Sequence, residues 1–152
     1  MELSERLNAC LKVETLCEEI YYTLCFLFPE AKELFQKLAE EEERHADILT
    51  ICTGFQDMGT LPDMIVLNSL PQIVKSIDIA EEIKARIAQG NISLIAALHM
   101  TLELEEAVAE IYFNEVMTEK SDTEVVSYLQ QFYKNEISHT QRIEDFILQT
   151  IL

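Results

Sequence analysis

An all-α fold is predicted by three observations. Only three glycines and three prolines occur in 152 residues, too few turn-formers for a fold that reverses often. Apolar residues make up 49%, enough for a sizeable core in a single domain of this length. They also recur at three- and four-residue spacing along four long segments, the period of a helix that buries one face. The expected architecture is an antiparallel four-helix bundle spanning residues 1–152. Two helical hairpins would be joined by one long crossover containing a short helix.

The first helix is expected over about 4–28, capped by Ser4, with the stripe Leu3, Leu7, Cys10, Glu14, Cys17, Tyr21, Leu24 and Phe28. Pro29 suits the first turn of a second helix over about 30–53, since its missing N–H is not needed there. Gly54 is expected to end that helix. Its stripe is Phe35, Leu38, Glu42, His45, Leu49 and Cys52. Residues 54–92 form the crossover. They read as irregular and partly apolar to about 76, then as a short helix closed at Gly90. Ser93 caps a third long helix over about 93–118, with the stripe Leu94, Leu98, Thr101, Glu105, Val108 and Tyr112. Ser121 or Asp122 opens a fourth over about 122–150, with the stripe Val125, Leu129, Phe132, Glu136, His139, Ile143 and Phe146. The two hairpins resemble each other: "ETLCEEIY" from Glu14 lines up with "EEAVAEIY" from Glu105, and "EERH" at 42–45 with "EISH" at 136–139.

The formal net charge of −17 argues against a nucleic-acid partner, which needs Lys and Arg on phosphates. It argues equally against anionic membrane surfaces, and it is compatible with attracting cations. No apolar run approaches membrane length, and the N-terminus lacks a signal-peptide shape. The cysteines Cys10, Cys17, Cys25 and Cys52 form no CxxC pair and read as reduced, buried groups of a cytoplasmic protein.

Six polar residues occupy positions that the stripes reserve for core side chains: Glu14, Glu42, His45, Glu105, Glu136 and His139. An uncompensated buried carboxylate costs more than a domain's margin of stability. Two divalent ions would balance the four carboxylates, and neutral imidazoles add nothing to that sum. A Glu-x-x-His pair places both side chains on one helix face, about one turn apart, where both reach one ion. Level matters too. Glu14 and Glu42 are equidistant from a turn near residue 28, and Glu105 and Glu136 nearly so from one near 120. Glu18 and Glu103 are the alternatives to Glu14 and Glu105. The rest of the acidic run from Glu40 to Glu43 reads as a solvated face, and His99 as structural or partly exposed. One Glu from each of two helices and Glu-x-x-His from the other two is the pattern of carboxylate-bridged dimetal bundles.

On these motifs the chain resembles the ferritin-like superfamily, and within it the rubrerythrin-like branch. "LFQKLAEEEERHADIL" is similar to that branch's second helix, "ETLCEEIY" and "ELEEAVAEIY" to its first and third, and "NEISHTQRI" to its fourth. The likeness covers about 100 residues in two blocks. It implies a ferritin-like bundle in which Glu14 and Glu105 are terminal ligands, Glu42 and Glu136 bridge two metals, and His45 and His139 each bind one. Tyr21 and Tyr112 would stand close to the centre. Rubrerythrins also carry a CxxC rubredoxin domain and a further Glu three residues after the third-helix ligand. This chain has no CxxC, and Val108 stands at the second position.

Mixed carboxylate and imidazole ligation fits two iron ions in redox use, with manganese or zinc as substitutes. The expectation is a non-haem di-iron oxidoreductase of peroxidase or ferroxidase type, reacting with hydrogen peroxide or O2. Its electrons would come from an external donor. The alternatives are a protein of iron handling or storage and a metal-stapled structural module. The apolar crossover points to a homodimer.

Overall fold

The computed structural model describes residues 2–61, 69–108, 124–130 and 139–151. Most of these are helical, with no strand among them. The helices are α1 (Glu2–Leu27), α2 (Lys32–Asp57), α3 (Leu70–Ala88), α4 (Leu94–Val108), α5 (Glu124–Gln130) and α6 (His139–Ile151). None of the described helices is long and apolar enough to cross a membrane.

α1 and α2 form an antiparallel pair closed by the single 3-10 turn Pro29–Ala31. Proline serves at the start of that turn because no intrahelical donor is required of it. The α1 stripe from Leu3 to Leu24 is buried throughout, as is the α2 stripe from Phe35 to Cys52. Ser4 lies inside α1 and does not cap it, because the helix begins at Glu2. Gly54 likewise lies inside α2. One glycine costs a helix only about 1 kcal/mol relative to alanine, and Phe55, half-buried, meets Tyr128 edge-to-face at 5.9 Å just beyond it.

The crossover is more helical than its sequence implies. α3 starts at Leu70, where Ser69 accepts from the Gln72 backbone N–H and its own N–H donates to Gln72 Oε1 at 2.8 Å. That reciprocal capping satisfies two helix-end donors and supports several residues read as irregular. Ile73, Ile77, Ala80, Ile83 and Ile87 then bury one face against α1 and α4. Gly90 closes the segment with φ 77°, a left-handed conformation that suits glycine. Ser93 caps α4 by accepting from the Ala96 N–H at 3.1 Å. α6 packs on α4 and on α2, so α2 is covered from two sides, by α1 and by α6. The expected cap at Ser121 or Asp122 falls outside the described residues.

Candidate metal centre

Among the described residues, the buried polar and charged ones are Glu14, Glu41, Glu42, His45, Thr101, Glu105 and His139. Thr101 is satisfied locally, its hydroxyl donating to the Leu98 carbonyl at 2.7 Å. The other six converge from four helices. α1 supplies Glu14; α2 supplies Glu41, Glu42 and His45; α4 supplies Glu105; α6 supplies His139.

Two triads of possible ligands result: Glu14, Glu42 and His45, and Glu42, Glu105 and His139. Within each, one ligand atom per residue lies within 4.8 Å of the others. Glu42 belongs to both. His45 Nδ1 is 3.7 Å from Glu14 Oε2 and 3.7 Å from Glu42 Oε2. His139 Nδ1 is 2.9 Å from Glu42 Oε1 and 3.2 Å from Glu105 Oε1. Donor atoms held around a divalent ion by bonds of about 2.0–2.2 Å stand about 3.0–3.6 Å apart, so both triads are near ligand spacing. The two imidazoles stack 6.0 Å apart at 18°, one at each triad.

The electrostatics fit a cation. Glu42 is 1% exposed, and burial, followed by its neighbour Glu14, pushes its carboxyl well above the ordinary range. Glu42 Oε2 is buried and, among the described residues, accepts no hydrogen bond of normal geometry. A lone pair left so in a dry interior is costly unless an ion takes it up. Tyr21, fully buried, donates its hydroxyl to Glu105 Oε1 and sets its ring edge-on to His139 at 6.4 Å. Burial, then Glu105, raises the tyrosine well above its usual ionisation range.

No protein-family model matches the chain, and neither a curated protein nor a solved structure similar to it is found. Buried glutamate and histidine groups able to hold a metal ion are present.

Of the residues read from the sequence, Glu14, Glu42, His45, Glu105, His139 and Tyr21 come together, while Glu136 and Tyr112 lie outside the described residues. The alternatives Glu18 and Glu103 stand away from the centre. Glu18 is half-buried, and Glu103 is exposed and paired with Arg86 at 3.4 Å. His99 is exposed, and all four cysteines are free.

Glu41 was expected on a solvated face with Glu40 and Glu43, but it is 4% exposed. Its Oε2 meets His139 Nε2 at 2.5 Å and its Oε1 pairs with Arg142. A single stripe describes a helix covered on one side, whereas α2 is covered on two, which buries the adjacent position as well. Arg142, one turn after His139 in "HTQR", was the available signal.

Proposed function

We propose that this cluster holds two iron ions inside a ferritin-like four-helix bundle made of two hairpins and one long crossover. The protein would be a non-haem di-iron oxidoreductase whose oxidant is hydrogen peroxide or O2, with an external electron donor. The supporting observation is Glu42, shared by two carboxylate–imidazole triads, with His139 at its Oε1 and His45 at its Oε2. By its place in the sequence Glu136 would join Glu42 as the second shared carboxylate.

When bound, the iron pair supplies two electrons to an oxygen–oxygen bond. The residues of the chain set the conditions for that. Glu42 keeps the two positions adjacent. Glu14 and Glu105 add the negative charge that favours cations, and His45 and His139 supply neutral donors, one for each position. Tyr21 holds Glu105 Oε1 in place by donating its hydroxyl to it. The fully buried Phe35, Leu38, Leu49, Leu98 and Leu104 keep bulk water from these helices. A homodimer contact on the crossover would cover exposed Met58 and Val74.

The charge of −17 favours a second reading, iron oxidation for storage or delivery, in which many irons accumulate per chain rather than two. Anaerobic loading with Fe(II) followed by hydrogen peroxide tests the first. Oxidation of two irons per peroxide, faster than for iron in buffer, supports it. Oxidation no different from free iron removes it.

A further inference from the structure

One buried carboxylate belongs to neither triad. Glu41 Oε2 takes His139 Nε2 at 2.5 Å, while its Oε1 pairs with Arg142 and lies 3.9 Å from the more exposed Arg44. The other ring nitrogen of His139, Nδ1, faces Glu42 and Glu105. The imidazole thus has a different carboxylate environment at each nitrogen. Arg142 follows His139 by three residues on α6, so the two side chains grip Glu41 of α2 from one face.

We propose that Glu41 and Arg142 are positioning residues with opposed effects on the ion held by Glu42, Glu105 and His139. The proposal rests on the two-metal reading above. By accepting the Nε2 hydrogen, Glu41 leaves the Nδ1 lone pair directed at the triad and makes the ring a better donor. Its negative charge also attracts the cation. Arg142 neutralises that charge. The Glu41–Arg142 pair is then close to neutral, and the ligand carboxylates alone are left to balance the ions. Both partners are shielded, with side-chain exposures of 5% and 19%, so the effect is not lost to solvent screening.

Opposed roles predict opposed shifts. In titrations of the full chain with Zn(II) against a competing chelator, Glu41→Gln can still accept from Nε2 but has lost the charge. It is expected to weaken the ion at this triad by about 10- to 100-fold. Arg142→Gln stays polar but removes the positive charge that neutralises Glu41. It is expected to tighten the same ion by about tenfold, while the metal-free form melts at a lower temperature. Arg142→Lys keeps the charge and should bind as the wild type does. In Co(II)-loaded protein the His139 Nε2 hydrogen should give a shifted, slowly exchanging proton resonance that exchanges faster in Glu41→Ala. Damage to packing alone would weaken binding in both glutamine variants. A result of that kind, or no change in either, overturns the assignment. Failure of the wild-type chain to bind Zn(II) tightly overturns instead the metal reading beneath it.

Discussion

Replacing Glu42 with glutamine should stabilise the metal-free protein and weaken the metal-loaded one. Glu42 is 1% exposed, one of its oxygens accepts no hydrogen bond among the described residues, and Glu14 stands beside it. A buried acceptor left unmatched costs about 1–3 kcal/mol, and more when charged. Glutamine keeps the shape and removes the charge, so at neutral pH the metal-free variant should gain an amount of about that order. For a domain of this length the gain is roughly 2–12 °C in Tm. Loading reverses the order. Zn(II) at about a thousand times its Kd adds about 4 kcal/mol to the wild type, and the variant forfeits most of that because both triads share the lost carboxylate.

The pH dependence has a definite sign. Burial raises the folded-state value of Glu42 above the ordinary 4.5. Below 4.5 the group is protonated folded and unfolded alike, and the substitution changes little. As pH rises past 4.5 the unfolded chain releases this proton while the folded chain retains it, so metal-free wild type loses stability relative to the variant. The penalty is complete once pH exceeds the folded value. Differential scanning calorimetry between pH 4 and 8, with chelator and with Zn(II), measures all of this. A metal-free Glu42→Gln protein that melts below wild type across the range would refute the reasoning.

Tyr21 is held above its ordinary ionisation range by burial and by Glu105, so in an alkaline ultraviolet titration it should ionise only when the chain unfolds. Tyr21→Phe should shrink that step by one tyrosine and cost about 1.5–3 kcal/mol in urea unfolding, the worth of a hydrogen bond to a charged acceptor. Burial pushes the Cys10 and Cys52 thiols up to about 12. At pH 8 a disulfide reagent should therefore label half-buried Cys25 first and these two only after unfolding. Ser69→Ala removes the reciprocal cap of α3 and should cost about 1 kcal/mol by the same urea assay.

The helical class, the paired α1 and α2 stripes and the meeting of Glu14, Glu42, His45, Glu105 and His139 were legible in the sequence. Helical period and level in a hairpin are local properties that a single chain exposes. Helix ends were less so. Gly54 is a stop by propensity, yet α2 runs past it to Asp57, where Phe55 packs on Tyr128; the Ser69–Gln72 cap starts α3 earlier than the apolar period alone suggests. Glu41 was missed because its burial depends on which helix covers the second side of α2. That is a property of tertiary packing, and only Arg142 hinted at it.

Two cations sharing the Glu42 carboxylate are what the two triads are proposed to hold. Anomalous diffraction from crystals soaked in Zn(II) measures this directly. Two interior peaks are predicted, one bonded to Glu14, Glu42 and His45 and the other to Glu42, Glu105 and His139. An interior without peaks, or zinc found only on the acidic surface, would contradict it.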